Sequence, residues 1–185
     1  MAETEESVLR FLEGDEEAFR QIVQRWQTKV YNLAWRFLGN REDAQDIVQE
    51  TFFSVFKSIG TLREPRSFST WLYRITLNHC RARWRSQTSD LSLDDPILGT
   101  AETQRELALG HGTAQDSLET ADLIRKALMG LSDECRTAII LKEYVGLSLE
   151  EVANVVCCPL STAKSRLYHG LRGVQRNLRR MGLRD

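Results

Sequence analysis

"GLSLEEVANVVCCPLSTAKSRLYHGLRGVQRNLRR", residues 146–180, sets two helices of unequal length around a break. Ser148 and Glu151 have capping-box spacing, in which each side chain bonds the other's backbone N–H, so a short helix starts there and runs to about Val156. The break is "CCPL", because Pro159 has no N–H to continue the ladder. Ser161 or Thr162 then suits the start of a second helix, where a hydroxyl accepts from an orphan backbone N–H. On that second helix Ala163, Leu167, Gly170, Leu171, Val174 and Leu178 share the inward face. Ser161, Ser165, Tyr168, His169, Arg172 and Arg176 share the outward one, flanked by Lys164 and Arg166. A short helix, a tight turn and a longer helix with a polar, basic outer face make the helix-turn-helix pattern. The N-terminal half of such a helix enters a major groove, where Lys and Arg read guanine and Ser or Thr read several bases. A plain helical hairpin is the alternative.

Moving upstream, "QTSDLSLDDPILGTAETQRELALGHGTAQDS" is rich in Ser, Thr, Asp and Gly and poor in apolar anchors. It reads as a linker over 87–118, with "ETQRELAL" able to form a passing helix. Helical periodicity holds from about 7 to 86 and again from about 119 to 180, with no strand pattern or hairpin turn. The expectation is an all-α protein of two small domains, 1–86 and 119–185, each marginal alone.

The first of these domains holds two telling segments. In "NREDAQDIVQETFFSVFKSIG", 40–60, Ala44, Ile47, Val48, Phe52 and Val55 form an apolar helix face. Glu42, Asp43, Asp46, Gln49 and Glu50 lie opposite, with Phe53 among them. That is either a solvated acidic face with a stray aromatic or an acidic-aromatic patch for a protein partner. In "SFSTWLYRITLNHCRARWR", 67–85, one stripe carries Trp71, Leu72, Ile75, His79 and Ala82; another carries Tyr73, Leu77, Cys80 and Trp84. Most of these rings are therefore core. Between the stripes Arg74, Asn78, Arg81 and Arg85 form a narrow band, and no acid occurs from Arg66 to Arg85. The preceding "TLREPRSFS" is a proline-broken basic loop. A basic helix face beside such a loop suits backbone phosphates and unstacked bases.

Bulk composition hides this polarity. The formal net charge of the 185 residues is −1, yet acids dominate 1–18 and 87–120 while bases dominate 63–85 and 160–185. Two basic blocks about an acidic one suggest two anionic contacts with a spacer. The longest aliphatic runs, such as "AIIL" at 138–141, are too short to span a membrane. The acidic start "MAETEESVLR" lacks signal-peptide character, so a cytoplasmic location is expected. Cys80, Cys135, Cys157 and Cys158 include no CxxC pair and read as reduced thiols, with no metal site. His79, His111 and His169 are scattered, and neither a nucleophile–base pair nor a phosphate-binding glycine loop is evident, so no catalytic residues, cofactor or small-molecule substrate are expected. A stand-alone helix-turn-helix regulator with a sensing first half is one alternative that this layout leaves open.

Taken together these residues resemble the extracytoplasmic-function (ECF) group of bacterial RNA polymerase sigma factors. "GDEEAFRQIVQRW", "NREDAQDIVQETFFSVFKSI" and "FSTWLYRITLN" look like region 2, and "LSDECRTAIILKEYVGLSLEEVANVVCCPLSTAKSRL" looks like region 4. The resemblance implies that Asp43, Asp46, Gln49, Glu50 and Phe53 bind the β′ clamp helices of core polymerase, with the β flap a second contact. It implies that the loop with Arg63, Arg66 and Ser67, together with Arg74, Asn78, Arg81 and Arg85, opens and holds the −10 element. It implies that Ser161, Thr162, Lys164, Ser165, Arg166, Tyr168, His169, Arg172 and Arg176 meet −35 DNA, and that an anti-sigma factor controls the chain. The chain departs from the family pattern at Ser132, where proline is usual and where serine itself caps well. It departs again at "HGLR", 169–172, where Gly170, like Gly173, is expected to weaken the helix by about 1 kcal/mol.

Overall fold

The computed structural model describes residues 2–90 and 114–182. These form eight α-helices and, among the described residues, no strand. α1 (Ala2–Leu12), α2 (Glu16–Leu38), α3 (Arg41–Ser58) and α4 (Phe68–Asp90) make the first half. Short 3₁₀ turns at Ile59–Thr61 and Pro65–Ser67 join α3 to α4. α5 (Ala114–Met129), α6 (Asp133–Ile139), α7 (Leu149–Val155) and α8 (Leu160–Arg180) make the second. α6 runs into a π-turn over Ile140–Tyr144. The segment expected as a linker is helical at both ends, because α4 continues to Asp90 and α5 begins at Ala114. The passing helix expected at 102–109 lies outside the described residues.

Local chemistry explains most helix ends. Asp15 caps α2 by accepting from the N–H groups of Glu17 and Ala18, and Asn40 caps α3 through Glu42 and Asp43. Gly39 stops α2 in the left-handed region at φ 74°, where its N–H bonds the carbonyl of Trp35. The expected capping box at Ser148 and Glu151 forms with both bonds in place, and Ser132 caps α6 through Cys135 N–H. The start of α8 differs from expectation. Pro159, not Ser161 or Thr162, occupies the N-cap position, and no side chain caps the helix. Proline's fixed φ preorganises that first turn.

Packing reveals a further feature. Ile22, Val30, Leu33, Phe37, Ile47, Leu72 and Leu77 form the centre of the first half, with α2 in contact with α1, α3 and α4. Leu128, Ala138, Ile139 and Leu167 form a small cluster in the second. Ile140, Leu141, Val152 and Val155 belong to the buried cluster of the first half. The two helical units therefore share an apolar seam, and α7 and the π-turn lie against α4 and α2. Gly170 and Gly173 acquire a role here. A Cβ at Gly170 would stand 2.8 Å from Ile139 Cδ1 and 3.1 Å from the Cys135 carbonyl oxygen. One at Gly173 would stand 2.5 Å from Leu131 Cδ2. Neither glycine is a defect in α8, since the approach of α5 and α6 requires both.

Candidate nucleic-acid and protein interfaces

The turn between α7 and α8 closes with Cys157 at φ 52° and a bond from Cys158 N–H to the Ala153 carbonyl. It aims α8 so that Ala163 and Leu167 are buried while Ser161, Lys164, Ser165, Tyr168, His169, Arg172 and Arg176 are exposed. Thr162 and Arg166 are half-buried at the edges. Leu171, expected inward, is exposed instead, because Gly170 and Gly173 bring the neighbouring helices to the other side. No Asp or Glu occurs in α8. Toward its end Arg172, Gln175, Arg176, Arg179 and Arg180 line an open basin of about 440 Å³. The C-terminal dipole of the helix adds negative potential that these cations offset. A solvent-facing surface of one sign, with hydroxyl and aromatic groups at its N-terminal half, fits a duplex groove and its phosphates.

The basic band of α4 has a different surrounding. Arg74, Asn78 and Arg85 are exposed and Arg81 is half-buried. Thr61, Leu62, Arg63, Glu64, Ser67, Thr70, Trp71 and Arg74 line a cleft of about 270 Å³ beside it. An indole in the wall of a cleft is the kind of surface on which a base stacks. Arg66 is tied to Glu64 at 2.9 Å, which holds the Glu64 carboxyl below its usual range. Both groups are exposed, so the pair is labile. Two band members already have partners in the second half. Arg74 Nη2 donates to the Asn154 carbonyl at 2.6 Å, and Arg81 Nε donates to Asp133 Oδ2 at 2.8 Å.

The α3 face is organised by a residue that the sequence did not single out. Arg83 reaches from α4 to Asp43 Oδ1 at 2.8 Å, Asp46 Oδ2 at 3.3 Å and Glu50 Oε1 at 3.0 Å. Burial alone would lower its pKa, but these carboxylates outweigh that and raise it. Gln87 Nε2 adds a bond to Asp43 Oδ2 at 2.7 Å. Asp43, expected on the outer face, is only 8% exposed, so it anchors α4 to α3 instead of facing solvent. His79, expected in an apolar stripe, bridges Glu50 at 3.2 Å and Ser54 Oγ at 2.9 Å. This carboxylate–imidazole–hydroxyl chain lies in the α3–α4 seam. Asp46, Gln49 and Glu50 remain exposed around Phe53, which is 61% exposed with Lys57 Nζ 4.0 Å from its ring. Phe56 was also missed. It is exposed one turn on from Phe53 and packs on Phe11 and Phe19. The periodic signal for Arg83 was present: His79, Arg83 and Gln87 recur at four-residue spacing, opposite Asp43, Asp46 and Glu50.

Cys80 is buried, which pushes its thiol well up, and Cys157 is exposed. No metal-ligating cluster occurs among the described residues, and no described helix is long and apolar enough to cross a membrane.

Comparisons with known proteins follow the same division of the chain. The family described as Sigma-70 region 2 matches residues 22–89, and that described as Sigma-70, region 4 matches residues 121–172. The ECF RNA polymerase sigma factor SigW of Bacillus subtilis (strain 168) is 36% identical over 171 residues, covering 90% of this chain and 91% of that protein. A structure of CnrH in complex with the cytosolic domain of CnrY superposes with a TM-score of 0.72 at 22% identity, over 95% of this chain and 97% of that one. The sigma factor RpoE in complex with the anti-sigma factor NepR from Bartonella quintana superposes with a TM-score of 0.65 at 24% identity, over 87% and 96%.

Proposed function

The chain belongs to the extracytoplasmic-function group of bacterial RNA polymerase sigma factors, and from that premise we propose how its surfaces divide the work. It is a dissociable promoter-recognition subunit that joins core RNA polymerase in the cytoplasm, brings it to promoters and performs no catalysis itself. Asp46, Gln49, Glu50, Phe53 and Phe56 on α3 face the β′ clamp helices, and Asp43 acts through Arg83 by fixing the face. The second half meets the β flap. Arg63, Arg66 and Ser67 in the loop and Arg74, Asn78, Arg81 and Arg85 on α4 take the opened −10 strand, with a base held in the cleft beside Trp71. The outer face of α8, from Ser161 to Arg176, takes the −35 duplex.

The observation that carries this reading is α8, whose inner face is buried under α5 and α6 while an outer face free of Asp and Glu stands in solvent behind a tight turn. A second support is the spatial division of chemistry: an acidic-aromatic face on α3 and basic faces on α4 and α8 suit a protein partner and a polyanion respectively. An anti-sigma factor as inhibitor fits the company kept by similar folds, one of which is held by NepR.

Co-purification with core polymerase, followed by run-off transcription on genomic fragments, tests the assignment. Asp46→Ala combined with Phe53→Ala is expected to weaken core binding about 30-fold, the scale of one interface hot spot, with the circular dichroism spectrum unchanged. Normal assembly by the double variant moves the docking face off α3.

A further inference from the structure

Glu50 and Ser54 lie one turn apart on α3, and His79 and Arg83 lie one turn apart on α4, so the two pairs meet across the seam between these helices. Arg83 Nη2 donates to Glu50 Oε1 at 3.0 Å, and the other oxygen, Oε2, stands 3.2 Å from His79 Nδ1. On the far side of the ring, Nε2 is 2.9 Å from Ser54 Oγ. A carboxylate only accepts, and a neutral imidazole has one donor and one acceptor. The ring proton therefore sits on Nδ1, and Nε2 accepts from the Ser54 hydroxyl.

A hydroxyl bonded to a base that a third group orients is the arrangement that activates a serine. The pair is invisible along the sequence, where 25 residues separate Ser54 from His79. It is open to small molecules, because the His79 side chain is 28% exposed, that of Glu50 45%, and Ser54 is half-buried beside them. Asp46 and Glu50 make the surrounding field unfavourable to an anionic reagent, whereas the exposed rings of Phe53 and Phe56 offer an aryl group a surface. Ser54 sits inside α3, where backbone N–H groups are spent in the helix ladder, so the helix offers no oxyanion hole. The acceleration is then that of general-base assistance alone, about 10²–10⁴-fold.

We infer that Ser54 is a histidine-activated nucleophile and a self-acylation site, taking one acyl group from an uncharged activated ester. Ser54 Oγ attacks the acyl carbonyl carbon as its proton passes to His79 Nε2. The bond from Oγ to the acyl carbon forms and the ester's own C–O bond breaks. The departing oxide leaves with that electron pair and recovers the proton from His79. Glu50 holds the ring and offsets the charge that the ring gains, so it is a positioning residue. The acyl group then stands one residue from Phe53, on the face assigned to core polymerase, and the inference holds whether or not that face docks.

The test uses the full chain and 4-nitrophenyl acetate in mildly alkaline buffer. Nitrophenolate release is followed by absorbance, and the acetylated positions are mapped by mass spectrometry. Ser58 is the internal control. It lies one turn along α3 and is also half-buried, but its hydroxyl donates to the Ser54 carbonyl at 2.6 Å instead of to an imidazole. Ser54 is expected to be acetylated about 100-fold faster than Ser58, at the lower end of general-base assistance, and the difference is expected to vanish in urea. His79→Gln keeps a hydrogen-bonding group and removes the base. It is expected to bring Ser54 down to the Ser58 rate with the circular dichroism spectrum unchanged. Glu50→Gln is expected to slow Ser54 about tenfold in the limiting rate while the half-saturating ester concentration stays put, a split that a loosened fold would not give. Equal rates at Ser54 and Ser58 in the folded parent overturn the inference and leave a structural clasp, and this comparison needs no variant to fold. Acetylation confined to lysines, or a Ser54 rate that His79→Gln leaves unchanged, overturns it as well.

Discussion

α4 and α8 are long helices whose basic residues recur every three or four positions, yet their cations do opposite things. α4 turns Arg74 and Arg81 to the second half and Arg83 to the carboxylates of α3. α8 turns Lys164, Arg172 and Arg176 to solvent. The cause is where the acids and carbonyls lie. α4 sits between an acidic helix and the ends of α6 and α7, whereas α8 packs its small inner residues on α5 and α6 and, among the described residues, keeps its outer face exposed. A row of arginines thus fixes the sign of a surface but not whether the protein has already used it.

The largest test of this contrast is stability. Arg83→Ala leaves Asp43, Asp46 and Glu50 facing one another with Asp43 buried, and is expected to cost about 2 kcal/mol. Arg172→Ala is expected to change stability by less than about 0.5 kcal/mol, as for an ordinary surface site. Urea denaturation of both variants decides it, and equal losses would break the distinction between the helices.

Next comes the inner face of α8. Helix propensity alone predicts that Gly170→Ala stabilises, by about 1 kcal/mol. The added methyl would press on Ile139 and on the Cys135 carbonyl, and the carbonyl is backbone that yields little. A net loss of about 1 kcal/mol is expected, read as a lower thermal midpoint. A rise would mean that α6 stands farther off than 3.1 Å contacts allow.

The outer face is then read through salt. Arg172→Ala and Arg176→Ala are each expected to reduce the slope of log affinity against log salt by ~0.9 on duplex carrying a −35 site. Arg83→Ala, with its guanidinium committed to α3, should leave that slope alone. An unchanged slope in both α8 variants removes them from the phosphate contacts.

Much of this is legible in the sequence alone. The helix-turn-helix follows from Ser148, Glu151 and Pro159, and the α3 apolar face follows from its period, since such features are encoded within a few residues. The glycines of α8 misled, because their reason lies in Leu131, Cys135 and Ile139 on other helices. Asp43 misled in the same way. On a helical wheel it belongs with Asp46 and Glu50, and only the approach of Arg83, forty residues away, covers it. The seam was least legible of all. Arg74 and Asn154 are separated by eighty residues, and no local pattern links a guanidinium to a distant backbone carbonyl.

A local pair supplies the control for these distant ones. Asp122 on α5 bonds Arg125 at 2.5 Å and Lys126 at 2.7 Å within one turn of its own helix. Burial pushes its carboxyl up, but the bonds from Lys126 and Arg125 outweigh this and hold it below the usual 3.8. The folded chain therefore binds that proton less readily than the unfolded chain. The stabilisation is present above the unfolded value and is lost as pH falls through the depressed folded one. Asp122→Asn cannot ionise, so it is expected to lose only a few tenths of a kcal/mol near neutrality, a gap that closes under acid. Parent and variant compared by thermal unfolding across the acid range check this. A gap that persists at low pH would mean that Asp122 acts through the shape of its hydrogen bonds, not its charge, and that the arginine pairing on α4 needs the same re-examination.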